Sequence, residues 1–457
     1  MGNQNNKIDS EGIYDARQLG APKMLVLGLQ HMFAMFGATV LVPALTGLSI
    51  SSTLLFAGLG TILFHLFAKG KVPAFLGSSF AFLAGYWAIA PGGEKELLPY
   101  ACLGVACSGL LYLILAAFIR AFGAKKVMRF FPPIVTGPII IAIGLTLSSS
   151  AINNCKADWL IAIIAIVVVI VCNIWGKGMI KIIPIILGVI SSYVVAACMG
   201  KVDFTAVKEA AWIGFPVHYE ETVFSIFSSP NVSLIITAII TIMPIAIATM
   251  VEHIGDISAI SSTVGTNFIE SPGLHRTLCG DGFATIIASL FGAPANTTYG
   301  ENTGVLSLTK VYDPAVIRIA AYFAILFSFS PKFEALVGSM PTATVGGVSL
   351  VLYGMISAVG VRNVVENQVD FTKNRNVIIA ALILVLSIGI KFTTLYNTAG
   401  EEVMASGINL TFGSITISLS GLAVAAIVGI ILNAVLPGKD YEFGKNPKGD
   451  QAANLEL

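Results

Sequence analysis

The sequence predicts an all-α polytopic membrane protein of fourteen segments, arranged as two inverted sets of seven. Three observations lead there. Of 457 residues, 56% are hydrophobic and only 11% charged, with a mean hydropathy of +0.85. A soluble domain carries about 25% charged residues, so lipid is the solvent for most of this chain. Second, uncharged runs such as Trp159–Gly176 approach the roughly 20 residues that span a bilayer. Third, a polar, glycine-rich stretch, Pro294-Ala-Asn-Thr-Thr-Tyr-Gly-Glu-Asn-Thr-Gly304, interrupts the apolar pattern. Broken backbone at membrane depth is tolerated only where it lines a cavity or is buried in protein.

The apolar runs centre near residues 34, 60, 82, 110, 141, 167 and 190, then 243, 287, 305, 323, 350, 383 and 425. With both termini in the cytoplasm, 20 of the 26 Lys and Arg fall inside, and only Lys95, Lys156, Lys201, Lys208, Lys332 and Lys391 outside. That bias is the positive-inside pattern, and it favours an even number of spans. Phe131-Pro-Pro-Ile-Val-Thr-Gly-Pro138 is echoed by Met340-Pro-Thr-Ala-Thr-Val-Gly-Gly347, and Gln30-His31 by Glu252-His253. The Gly77-Ser-Ser-Phe-Ala81 break in segment three has its counterpart at Tyr299-Gly300 in segment ten. Seven is odd, so the second set runs upside down, as in secondary transporters whose paired breaks meet at the midplane.

Residues 201–231 form the longest outer connector, mixed in polarity and carrying Trp212, Phe215, Phe224 and Phe227. The net charge of +1 argues against nucleic acid as a partner. Six cysteines sit mostly in apolar runs without metal-ligand spacing, which reads as inert small hydrophobes and no bound metal.

Carboxylates are costly at this depth unless paired or protonated. Glu252 and Asp256 lie four apart and face one direction, whereas His253 points about 100° away. Twenty uncharged residues, Val232 to Val251, place Glu252 inside a span rather than in a loop. Glu301 opens a new apolar helix, whose positive dipole end and free N–H groups point into the break. Gly300 and Gly304 let backbone approach a ligand closely. Phe80 offers an aromatic face for a flat heterocycle. His31, beside Gln30, reads more readily as a packing or hydrogen-bonding residue than as a ligand. Two acids, backbone donors and an aromatic plate suit a small planar molecule such as a nucleobase.

The motifs Leu29-Gln-His-Met-Phe-Ala-Met-Phe-Gly-Ala-Thr-Val-Leu-Val-Pro43, Lys71-Val-Pro-Ala-Phe-Leu-Gly-Ser-Ser-Phe80, Glu252-His-Ile-Gly-Asp256 and Asn296-Thr-Thr-Tyr-Gly-Glu-Asn-Thr-Gly304 carry a resemblance. From about residue 22 to residue 436 the chain resembles the nucleobase–ascorbate transporter family, and within it the bacterial members that carry uracil. The resemblance implies two short antiparallel strands in segments 3 and 10. It also implies a core domain (23–128 and 232–333) and a gate domain (129–200 and 334–436), between tails at 1–22 and 437–457. By the same likeness Glu252 and Glu301 hydrogen-bond the base, N–H groups at Phe80 and Gly300 assist, and His31 and Tyr299 complete the pocket. Asp281, Asn302 and Gln30 are expected to support these residues from behind.

The implied activity is uracil–proton symport in the cytoplasmic membrane, by a homodimer needing no cofactor. Glu252 would take the proton with help from Asp256 or His31. Asp256 stands where some uracil carriers have His and many purine carriers have Asp, which keeps a xanthine or urate carrier as the alternative. An anion exchanger would want a cation at the breaks, and an enzymatic metal site would want further ligands; neither is present in the pattern.

Overall fold

The computed structural model describes residues 12–396, 402–404, 407–412 and 415–439. Helices dominate. The first half comprises α1 (Ala21–Thr46), α2 (Ile50–Phe67), strand β1 (Leu76–Ser78), α3 (Leu83–Ile89), α4 (Leu98–Phe122), α5 (Ala124–Met128), α6 (Pro133–Cys155), α7 (Trp159–Trp175), α8 (Met179–Ile182) and α9 (Pro184–Cys198). The connector carries α10 (Thr205–Glu209). The second half comprises α11 (Val232–Ile242), α12 (Ala246–Val264), α13 (Leu274–Leu290), β2 (Asn296–Thr298), α14 (Glu301–Thr309), α15 (Pro314–Ser328), α16 (Pro331–Gly338), α17 (Thr342–Glu366), α18 (Asn374–Phe392) and α19 (Gly421–Val435).

Every predicted segment centre falls on one of these helices or on a strand-containing break, save that near 243, which falls on the 3-10 turn Met243–Ile245 between α11 and α12. By length and composition alone, seven helices among the described residues qualify as membrane spans, or eight if the bent pair α15–α16 is one span. Among the shorter ones, α9 and α15 begin at Pro184 and Pro314, which occupy first-turn positions where the missing N–H costs nothing.

The helices sort by what they pack against. In one group α2 lies between α13 and α15, α13 packs on α4, and α1 on α15. In the other α17 packs along α6 and α7, α7 on α9, and α18 on α6 and α19. The repeated proline motifs start α6 and α17, and these two helices pack so that each repeat glycine meets the far end of the other helix. Gly137 abuts Gly360 and Val364, while Gly346 abuts Asn154 and Cys155. Small residues at such crossings let helix backbones approach closely in lipid.

Residues 12–19 clasp the second half. Ile13 bonds Lys310 and Tyr312 through backbone at 2.7 and 2.8 Å, Ala16 N donates to Asp313 at 2.8 Å, and the Tyr14 hydroxyl donates to Val264 O at 2.7 Å. Beyond the strand pair inferred from the resemblance, two hairpins join α18 to α19: β3 (Thr394–Tyr396) with β4 (Glu402–Met404), and β5 (Ile408–Phe412) with β6 (Ile415–Leu419).

Candidate functional site

The two breaks cross. β1 pairs with β2 antiparallel, Gly77 opposite Thr297, and the pairing continues through Ser79 N to Ala295 O (3.0 Å) and Tyr299 N to Phe75 O (3.1 Å). Both strands are wholly buried. In lipid every backbone polar group needs an internal partner, and here each break supplies the other's. What remains is met by helix side chains. Thr61 of α2 accepts from Leu76 N at 2.9 Å, Thr285 of α13 donates to Asn296 O at 2.7 Å, and Ser78 donates to Thr39 O of α1 at 2.5 Å. A Cβ at Gly77 would run into the Tyr299 ring, whose hydroxyl donates to Ser78 O at 3.0 Å. Only glycine permits that contact.

Helix α12 presents its acids to the second break. Asp256 is buried and Glu252, one turn earlier, half-buried. A Cβ on Gly300 would lie 2.6 Å from Asp256 Oδ1, so the carboxylate rests against the bare backbone that leads into α14. Gly300 is the N-cap of α14, and Thr303 N in the first turn donates to Gly300 O at 3.0 Å. The Glu301 and Asn302 side chains lie outside the described residues; their backbone opens α14 as the sequence predicts.

His253 faces away from these acids into a closed polar cluster. Its Nδ1 lies 2.7 Å from Asp281 Oδ2 and its Nε2 3.0 Å from the Thr277 hydroxyl. Asp281 also accepts from Thr298 twice, from N at 3.1 Å and from the hydroxyl at 3.0 Å. Phe64 and Tyr112 set ring edges toward the imidazole at 6.5 Å. With both His253 and Asp281 buried, the cluster fixes Thr298, the residue before Tyr299-Gly300-Glu301.

On the other side of the crossing, Phe80 follows β1 in a short 3-10 turn. Its ring centroid lies 5.6 Å from that of Tyr353 on α17, at 78°. Tyr353 therefore brings the second helix group to the aromatic plate. Sequence reasoning missed it, since one Tyr in an apolar helix looks like core. Thr298 and Thr277 were missed for a similar reason, although a polar run ending at the break was the available signal. His31 and Gln30 are both buried on α1, which packs against β1 and α14. The structure thus gathers Asp256, Gly300, Tyr299 and the first turn of α14 at one crossing, with Phe80 on the β1 arm and Asp281 behind β2.

Comparison with known proteins agrees with this architecture. The Permease family model matches residues 22–395. The uracil permease of Bacillus subtilis (strain 168) is 41% identical over 426 residues, covering 90% of this chain and 91% of that protein. The uracil permease of Escherichia coli (strain K12) is 36% identical over 420 residues, 90% of each. The fold resembles the transmembrane domain of the cyanobacterial bicarbonate transporter BicA, with a TM-score of 0.58 and 12% identity over 93% of this chain and 99% of that one. Murine Slc26a9 in its inward-facing state gives a TM-score of 0.61 at 12% identity, over 94% and 73%. The chain is a transporter rather than an enzyme, and it belongs to the permease family of nucleobase–ascorbate transporters.

Proposed function

We propose that this chain takes up uracil together with protons across the cytoplasmic membrane by alternating access. The observation that carries the reading is the meeting of α12 with the second break, where the Asp256 carboxylate rests on Gly300 at the start of α14. Uracil is flat, with two N–H donors and two carbonyl acceptors. Glu252 and Glu301 would accept from the ring N–H groups, backbone N–H at Gly300 and Phe80 would donate to its carbonyls, and the Phe80 ring would cover its face. Relatives named as uracil permeases over nine-tenths of the chain support that substrate.

In this reading fourteen spans form a 7+7 inverted repeat with both termini cytoplasmic. The core (23–128, 232–333) moves against the gate (129–200, 334–436). The reciprocal glycine contacts of α6 and α17, and the division of helices into two packing groups, support it. Glu252, helped by Asp256 or His31, holds the coupled proton; neutralising a buried acid lowers the cost of carrying it through the occluded state. A second copy joins through gate helices.

The test is accumulation of labelled uracil by proteoliposomes with and without an inward proton gradient. Gradient-driven accumulation is expected, and Glu252→Gln should abolish it. Robust gradient-dependent uptake by that variant would overturn the coupling. The purine reading rests on Asp256; xanthine or urate outcompeting uracil would establish it instead.

A further inference from the structure

Helix α2 has two working faces. One holds the β1 arm: Thr61 bonds Leu76 N, and His65 Nε2 donates to Ala74 O at 3.0 Å. The other lines an open groove of about 520 Å³ between α13 and α15, walled by Leu59, Leu63, Leu66 and Ile287, with His65 and Arg318 also on its lining. Leu66 is 74% exposed and Leu59 42%, so this wall faces the surrounding medium, which for a permease is lipid.

The polar lining is what departs from an ordinary lipid-facing surface. Arg318 forms no ion pair among the described residues. The nearest acid in sequence, Asp313, is engaged by the backbone N–H groups of Ala16 and Ala315. His65 is buried, and its Nδ1 has no hydrogen-bond partner among the described residues. Further cations gather at this end. Arg318 Nη1 lies 3.6 Å from the position of a Cβ on Gly70, next to Lys69, and the charges of Arg276, Arg120 and Lys69 act together on His275. An apolar trough ending in an uncompensated guanidinium, beside a collar of like charge, matches one kind of occupant: an acyl chain that carries a phosphodiester.

We infer that the α2–α13–α15 groove is a specific site for a phospholipid with an anionic headgroup, its phosphate on Arg318 and one acyl chain along Leu59–Leu66. The guanidinium suits phosphate because it can donate two parallel hydrogen bonds. The Nδ1 lone pair of His65 offers an acceptor to a headgroup hydroxyl. This site is separate from the strand crossing and does not depend on which base is carried. Because the same helix holds β1, an occupied groove braces the arm that presents Phe80.

The test is native mass spectrometry of the full-length protein, delipidated and titrated with phosphatidylglycerol or phosphatidylcholine of equal chain length. Wild-type protein should retain phosphatidylglycerol about fivefold better, because the choline cation of phosphatidylcholine offsets its phosphate charge and one basic side chain near an anionic headgroup is worth about 1 kcal/mol. Arg318→Gln should bind the two lipids equally. Undiminished preference in that variant would overturn the assignment. Should Arg318→Gln not fold, Leu59→Trp fills the trough without touching a charge and should cut retention of phosphatidylglycerol. Wild-type retention there would overturn the proposal equally, as would equal retention of both lipids by the wild-type protein.

Discussion

The two breaks are alike as backbone and unlike as chemistry. Each is a three-residue strand, buried, antiparallel to the other and followed by a short helix. The first arm is braced by single hydroxyls and a backbone carbonyl and leads to an aromatic ring, Phe80. The second is fastened by a buried carboxylate–imidazole cluster and leads to Gly300 and Glu301. The difference teaches that a strand crossing fixes where two arms meet while leaving each arm free to carry different chemistry. In the proposed reading, one arm offers a face to the base and the other offers hydrogen bonds to its edge.

Substitutions in the two arms should therefore fail in different ways. The largest effect is expected where the arms touch. In Gly77→Val the new side chain displaces Tyr299 and opens the crossing, so uracil binding by calorimetry should disappear; retained binding would mean the arms do not depend on each other. Next comes Asp281→Ala, which strands His253 and both Thr298 donors. Breaking one partner of a buried pair costs about 3–5 kcal/mol, reduced in membranes, where the unfolded reference also finds partners. Lower thermal stability together with lost uptake is the expected pair of readouts, whereas lost uptake at wild-type stability would make Asp281 a direct ligand.

A smaller effect follows Phe80→Ala, which removes the plate and its contact with Tyr353. Aromatic pairing of this kind is worth about 0.5–1.5 kcal/mol beyond area burial. The Kd for uracil should rise about tenfold or less with proton coupling intact, so a change in pH dependence would contradict the division of labour. The mildest is Tyr299→Phe, which deletes the hydroxyl bond to Ser78 O. About 1 kcal/mol of stability is at stake, and uptake should persist; loss of substrate specificity would show that the hydroxyl reads the base.

Much of this was legible in the chain. The second break announces itself because Asn296–Gly304 is polar among apolar neighbours, and Glu252 with Asp256 share a helix face by spacing alone. The first break shows only as Gly77-Ser78-Ser79, a weaker signal that gained force from its partner. Asp281 was assigned to support the site, but its bonds to His253 and Thr298 join residues 28 and 17 positions apart, and periodicity does not report such contacts. Tyr353 was hidden because its contact with Phe80 depends on how α17 meets the first break. The hairpin β5–β6 was overlooked although Ile408-Asn-Leu-Thr-Phe412 and Ile415-Thr-Ile-Ser-Leu419 alternate around Gly413-Ser414, a recognisable strand–turn–strand pattern.

Gly77 and its partner Thr297 are separated by 220 residues. At a synthesis rate of about 5–20 residues per second, the first strand waits roughly 10–40 s in a nascent membrane segment before its mate exists. The bonds from Thr61 to Leu76, from His65 to Ala74 and from Ser78 to Thr39 all come from residues made earlier. They act as a chaperone within the chain, keeping a half-made edge quiet until translation delivers the strand that completes it.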